Sequence, residues 1–228
     1  MGEQDIRGNL ERVREAIGQA CARAGRSPAD VLLIAVSKTV EVRRIEGAIA
    51  AGVPALGENR VQEAREKIET LGRPVPWHLI GHLQTNKAKD AVRLFDWLHS
   101  VDRLELAAEL DRRARALGRA MDVLLEVNVG EEPQKSGVRP DEVKPLLDAL
   151  AGLSGIRIRG LMAIPPAAPD PEQMRPHFRR LRELRDAAGL EHLSMGMSAD
   201  FEVAVEEGAT MVRVGTAIFG PRPARGAP

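Results

Sequence analysis

Eight short runs of β-branched and other apolar residues alternate with longer amphipathic stretches along this chain of 228 residues. Such alternation is typical of strand–helix units arranged around a parallel sheet. The predicted strands cover residues 31–36, 54–57, 77–80, 97–100, 123–128, 158–162, 192–195 and 211–214. Because eight such units close into a barrel, we predict an α/β fold: a single (β/α)8 barrel of the TIM type.

Amphipathic stretches fill the spaces between these strands, and glycines stand where the predicted helices end. We predict helices over residues 42–51, 103–117, 141–150 and 172–188, with stops at Gly52, Gly118, Gly189 and Gly208. An extra N-terminal helix over residues 6–24 precedes the first strand, and we expect it to cover the bottom of the barrel. No linker or repeat divides the sequence, so we expect one domain over residues 1–228.

Charge and cysteine content exclude several classes of protein. Lys plus Arg equals Asp plus Glu at 33 each, which argues against a nucleic-acid or membrane-surface partner. Cys21 is the only cysteine, so an internal disulfide and a thiolate metal cluster are excluded. The polar beginning of the chain carries no apolar signal segment, and we therefore expect a cytoplasmic protein.

Lys38 follows the first apolar strand, at the place where an open dinucleotide-binding sheet would usually carry a glycine-rich turn. A lysine at a buried strand end can have the depressed pKa that Schiff-base formation requires. Taken alone, a lysine in this position is more often a solvated residue at a strand end. The interpretation of Lys38 as a reactive amine therefore depends on whether other segments of the chain supply binding groups for the same ligand.

Two segments near the C-terminus, residues 193–198 and 212–216, contain the small residues that suit a phosphate site. In barrels of this type, phosphate is commonly bound by the loops after strands seven and eight. Ser194 and Ser198 offer hydroxyls, and Gly196 would let a phosphate approach the backbone. An amine and a phosphate cradle at one mouth indicate a phosphorylated aldehyde, which points to pyridoxal 5′-phosphate (PLP).

Arg213 and Asn59 are further candidates, each with a structural alternative. An arginine facing the pyridine nitrogen can only donate a hydrogen bond, and it leaves that nitrogen unprotonated and the ring a weak electron sink. The alternative is an arginine on the outer face of strand eight, paired with a helix carboxylate. Asn59 follows the second strand and could contact the cofactor, or it could be a helix N-cap.

His78 and His82 have the spacing of a helical metal-binding pair, but they lie on a predicted strand and loop. There they would be about 13 Å apart if fully extended, so we predict no metal site. His82 would then line the mouth of the barrel or make a structural hydrogen bond.

Together these segments resemble the pyridoxal phosphate homeostasis protein family, which is related to the barrel domain of bacterial alanine racemase. The resemblance runs through residues 35–38, 57–59, 78–87, 135–137, 160–162, 194–198 and 213–220. It implies a fold-type III PLP protein that holds the cofactor as a Schiff base on Lys38 and acts in PLP homeostasis and delivery. It also implies that Arg213 faces the pyridine nitrogen. By the same resemblance the phosphate is held by Ser194, Gly215 and Thr216, with Asn59 and Ser198 also in the site.

Lys135 aligns with a lysine that the family links to cofactor movement, although the residues around it give that role no physical support. The resemblance implies PLP and PLP-dependent apoenzymes as partners of a monomer or weak homodimer.

Racemisation of the alanine racemase kind uses a tyrosine as its second base, and this chain contains no tyrosine. We therefore favour a carrier without robust catalysis. The alternative is a PLP-dependent amino-acid racemase or a cofactor-free Schiff-base lyase of the class I aldolase type.

Overall fold

Eight parallel strands form a closed barrel in which each strand pairs with the next in chain order and β8 pairs with β1. This computed structural model describes residues 5–166 and 168–221. The strands are β1 (Leu32–Val36), β2 (Ala55–Glu58), β3 (Trp77–Leu79), β4 (Trp97–Val101), β5 (Met121–Glu126), β6 (Ile156–Met162), β7 (His192–Met197) and β8 (Met211–Val214). The predicted (β/α)8 barrel is confirmed.

Helices cover the outside of this barrel. They are α1 (Ile6–Arg23), α2 (Val42–Ala50), α3 (Val61–Leu71), α4 (Ala88–Leu94), α5 (Leu104–Ala116), α6 (Val143–Leu150), α7 (Arg175–Ala187), α8 (Phe201–Glu206) and α9 (Thr216–Phe219). Short 3-10 turns occupy Pro28–Asp30, Thr85–Lys87, Pro140–Glu142 and Pro171–Met174. No helix within the described ranges is long and apolar enough to cross a lipid bilayer.

The predicted helices over 141–150 and 172–188 each begin as a 3-10 turn before the α-helix starts. Both turns open with a proline, Pro140 and Pro171, whose fixed φ suits a first helical position and whose missing N–H needs no partner there. Asp170 caps the second turn, since its side chain accepts the N–H of Glu172 at 3.0 Å. The sequence pattern therefore located these helices but not the change of helix type within them.

The N-terminal helix lies in the outer layer, and the prediction that it covers the bottom of the barrel is wrong. α1 packs against α8, α9 and α2, and its buried face includes Leu10, Val13 and Ile17. Asn9 Nδ2 donates to the carbonyl of Ile218 in α9 at 2.8 Å. The helix after β8 has only four residues, so α1 supplies the cover that this short helix cannot.

Two apolar clusters divide the core. The larger one lies between the sheet and the helices, and it contains α1 and most outward-facing strand residues. The smaller one consists of Ile34, Ala55, Leu124, Met162 and Met211. Since neighbouring positions on a strand face opposite sides, residues two positions beyond these, nearer the C-terminal ends of the strands, also face the barrel interior. Two of those positions carry polar side chains, Glu126 and Arg213, and the other three are Val36, Gly57 and Ile164.

Gly160 marks a bulge in β6, where the register against β5 shifts. A Cβ at this position would lie 2.0 Å from the carbonyl oxygen of His192 on β7, and a backbone atom paired across a barrel cannot move aside cheaply.

We expect Gly160→Ala to lower the free energy of unfolding by at least about 2 kcal/mol. Gly18→Ala is the matched control, because a Cβ at this helical position meets nothing within 4 Å, and it should stabilise α1 slightly. Urea denaturation of both variants measures the effect. Equal stabilities would contradict this account of the β6–β7 contact.

Candidate functional site

A pocket of about 240 Å³ opens at the C-terminal ends of the strands. Its lining contains six of the seven predicted site residues and five others: Val36, Lys38, Asn59, Ile80, Ile164, Met197, Ser198, Ala199, Arg213, Gly215 and Thr216. These residues come from opposite ends of the chain and meet because β8 pairs with β1. Ser194 is the predicted residue that is not part of the lining.

Arg213 is the buried cation of this pocket. It is 3% exposed and donates from Nη1 to Ser194 Oγ at 2.6 Å and from Nη2 to the carbonyl of Ala163 at 3.0 Å. Burial lowers the pKa of Arg213 to about 10, which still leaves the guanidinium protonated at neutral pH. The side chain thus points into the barrel, and the alternative of an outer-face arginine is wrong.

Ser194 is enclosed inside the barrel, with no exposed surface. Its Oγ lies 2.6 Å from Arg213 Nη1 and 2.9 Å from His99 Nδ1. The sequence predicted that Ser194 holds a phosphate; in this structure the hydroxyl has two side-chain partners and Ser194 is not part of the pocket lining. Ser194 instead orients the Arg213 guanidinium.

A chain of buried hydrogen bonds continues from Ser194 to two histidines. His99 Nε2 lies 2.9 Å from His78 Nδ1, and Trp97 stacks on the His78 ring at a centroid distance of 5.8 Å. Burial lowers the pKa of His78 to about 4 and that of His99 well below its usual value, so both rings are neutral. Since arginine can only donate, Ser194 Oγ accepts from Arg213, and the directions of the two histidine bonds follow from which ring nitrogens carry the hydrogens.

Sequence reasoning missed His99. The alternation of β4 was the available signal, because it places His99 on the same face as Trp97. His78 belongs to this chain of hydrogen bonds and lies in the barrel interior rather than beside His82.

Ser198 joins the two loops expected to bind phosphate. Its Oγ accepts the N–H groups of Gly215 at 3.1 Å and Ala217 at 3.3 Å, which leaves its own hydrogen to donate elsewhere. Gly215 and Thr216 line the pocket beside it. The two segments predicted at 193–198 and 212–216 are therefore in contact, with Ser198 as the link.

Gly196 has another role than the one expected of it. Its φ is 90°, and a Cβ there would lie 2.6 Å from the Cβ of Ala204 and 2.9 Å from the Cα of Phe201. Glycine is needed at this position because α8 packs closely on β7. The space is taken by protein atoms rather than left for a phosphate.

Asn59 presents an unsatisfied acceptor to the pocket. Its Oδ1 is buried without a hydrogen-bond partner among the described residues. The alternative that Asn59 caps a helix is not found, since Arg60 is the N-cap of α3. A buried acceptor without a partner costs free energy, and its place in the lining of the pocket indicates that a bound ligand supplies the donor.

A second group of titratable residues lies at the mouth. His82, Asp102 and Glu126 each bring one polar atom to within 4.8 Å of the others. His82 is exposed, and its Nδ1 lies 3.5 Å from Asp102. Glu126 is 8% exposed and its Oε2 has no partner in the described part of the chain. Burial, reinforced by the charge of Asp102, raises the pKa of Glu126 to about 7.

Lys135 reaches the pocket only indirectly. Its Nζ pairs with Glu132 and lies 3.4 Å from the carbonyl oxygen of Ile164, and Ile164 is part of the pocket lining. The contact connects the loop after β5 to that after β6.

The raised pKa of Glu126 predicts a pH-dependent stability. Between the usual value of 4.5 and about 7, the folded protein retains a proton that the unfolded chain releases. The free energy of unfolding therefore falls as the pH rises through this window. Glu126→Gln cannot titrate, so its stability relative to the unsubstituted protein should increase from pH 4.5 to pH 8 by roughly 3 kcal/mol.

Chemical denaturation of both proteins across this pH range measures the difference, from which contributions common to both, such as those of His78 and His99, cancel. Curves that stay parallel from pH 4.5 to 8 would show that Glu126 titrates normally in the folded state.

Comparisons with known proteins show the family and the fold of this chain. Residues 6–223 match the family described as alanine racemase, N-terminal domain. The chain is 48% identical over 220 residues to the pyridoxal phosphate homeostasis protein of Aquifex aeolicus, covering 93% of this chain and 96% of the relative. The structure of PipY from Synechococcus elongatus PCC7942 with PLP bound is 42% identical, with a TM-score of 0.80 and coverage of 90% and 100%. An alanine racemase of Clostridium difficile 630, 18% identical with a TM-score of 0.73, covers 97% of this chain and 58% of that protein, and shares the fold.

Proposed function

We propose that this chain, which belongs to the pyridoxal phosphate homeostasis protein family, binds PLP in the 240 Å³ pocket and stores it on Lys38. The observation that carries this proposal is the lining of the pocket, where Lys38, the buried cation Arg213 and the linked Ser198 and Gly215 surround one space. Delivery to PLP-dependent apoenzymes, a cytoplasmic location and a monomeric or weakly dimeric state belong to the same proposal.

The donor and acceptor groups of the pocket match those of the cofactor. Lys38 would hold the aldehyde carbon and Arg213 the pyridine nitrogen. The Ser198 hydroxyl and Thr216 would hold the phosphate, with Gly215 beside them. The unsatisfied Oδ1 of Asn59 would accept a hydrogen bond from the cofactor or its attachment point. When bound, PLP supplies an aldehyde that condenses reversibly with a lysine amine and releases water.

Arg213 favours storage over catalysis. Its guanidinium remains protonated at neutral pH even though burial lowers its pKa to about 10, and it is held by Ser194 and the Ala163 carbonyl. It can therefore donate to a pyridine nitrogen but cannot accept from one. A ring nitrogen kept in this state withdraws electrons weakly, which disfavours carbanion chemistry. The sequence also lacks the tyrosine that an alanine racemase uses as its second base.

The first test is a visible absorption spectrum of the purified protein with added PLP, recorded beside Lys38→Ala. The unsubstituted protein should show a band of protein-attached cofactor that Lys38→Ala lacks. Borohydride reduction followed by peptide mass analysis should then find the cofactor on the peptide containing Lys38. The absence of both band and adduct would overturn the proposal and leave a cofactor-free barrel enzyme as the alternative.

The second test concerns the phosphate. Ser198→Ala removes a hydroxyl that would donate to it, so the affinity for PLP should fall about tenfold while that for pyridoxal, which has no phosphate, changes little. Exposed Ser154→Ala is the matched control. Titrations followed by absorbance measure both ligands, and an equal loss for PLP and pyridoxal would mean that Ser198 only holds the loops together.

A further inference from the structure

Lys38 lies in a β-turn that contains a backbone conformation unusual for its sequence. The N–H of Val40 donates to the carbonyl of Ser37 at 3.0 Å, which makes Lys38 and Thr39 the central residues. Thr39, the third residue of the turn, has a φ of 61°. A positive φ at this position is normally taken by glycine or asparagine, and it is strained for a β-branched residue.

One hydrogen bond holds this residue from outside the turn. The N–H of Thr39 donates to Glu63 Oε1, on α3, at 2.6 Å. Burial alone would raise the pKa of Glu63, but hydrogen bonds from Lys67 and Thr39 outweigh it and lower this pKa below its usual value. The acceptor is thus an ionised carboxylate, which forms the stronger kind of hydrogen bond.

Lys67 connects this carboxylate to the other side of the turn. Its Nζ lies 2.6 Å from Glu63 Oε1, 2.7 Å from Glu58 Oε1 and 2.7 Å from the carbonyl oxygen of Ser37. The Lys67 side chain is 8% exposed, and Glu58 also accepts from Ser37 Oγ at 2.6 Å. Both neighbours of Lys38, Ser37 and Thr39, are therefore tied to the Glu58–Glu63–Lys67 cluster.

We infer that Glu63, oriented by Lys67, is a positioning residue that clamps Thr39 in its left-handed conformation and thereby directs Lys38 into the pocket. Without the clamp, a threonine at this position relaxes to negative φ and reorients the lysine beside it. The inference rests on the proposed function in that Lys38 is the amine that takes PLP. A purely structural cluster would instead fix α3 on the barrel without acting on the turn.

A double-mutant cycle separates these two roles. Glu63→Ala should slow PLP attachment, followed as the growth of the visible band, by at least about fivefold. In the Thr39→Gly background, where glycine adopts the turn without strain, the same Glu63→Ala change should cost less than about twofold. Exposed Glu69→Ala, on the same helix, is the control and should leave the rate unchanged.

Equal losses in the two backgrounds would overturn the inference, since the carboxylate would then act independently of Thr39. Glu63→Gln guards against a variant that fails to fold, because its amide oxygen still accepts the Thr39 N–H. Its attachment rate should stay within about threefold of the unsubstituted protein. Circular dichroism of each variant verifies the fold.

The effect of Glu63 on the Thr39 turn can also be measured without PLP. In the ligand-free protein, hydrogen exchange of the Thr39 amide by NMR should be at least about tenfold faster in Glu63→Ala than in Glu69→Ala. Unchanged exchange would overturn the clamp. Failure of the unsubstituted protein to attach PLP would overturn the proposed function. The exchange rate of the Thr39 amide would still test whether Glu63 holds the turn.

Discussion

The pairing of β8 with β1 is the contact on which the candidate site depends. It aligns Ile34 with Arg213 and Ala35 with Val214, so the turn that carries Lys38 lies beside the residues that follow β8. Parallel strands place their C-terminal ends at the same edge, and closure of the barrel joins the first of these ends to the last. Without this pairing, the amine and the phosphate-binding candidates would lie at opposite edges of an open sheet.

Hydrogen bonds connect most of the polar groups buried inside this barrel. Arg213 is followed by Ser194, His99 and His78, and Lys67 bridges Glu58 and Glu63 beneath the turn of Lys38. Breaking a buried charged pair leaves a charge without compensation, which costs far more than a surface pair. Among the buried atoms that lack a partner in the described residues, Asn59 Oδ1 belongs to a residue that lines the pocket.

Much of the fold and part of the site could be predicted from the sequence. Strand periodicity located all eight strands, and the residues at the two ends of the chain indicated the pocket that contains Lys38, Arg213, Ser198, Gly215 and Thr216. The errors arose where local pattern carries no information about direction or neighbours. Ser194 and Gly196 have phosphate-binding chemistry but are engaged by Arg213 and α8, and the sequence pattern does not distinguish Lys67 from the other charged residues of α3.

The sequence by itself determined the barrel, because the spacing of apolar runs and glycine stops allows few other arrangements of strands and helices. It also determined the chemical groups available at the strand ends. Only the tertiary structure decided which groups meet. Hydrogen bonds such as Thr39 to Glu63 and Ser194 to His99 join residues 24 and 95 positions apart, and their partners depend on closure and strand register, which local periodicity does not encode.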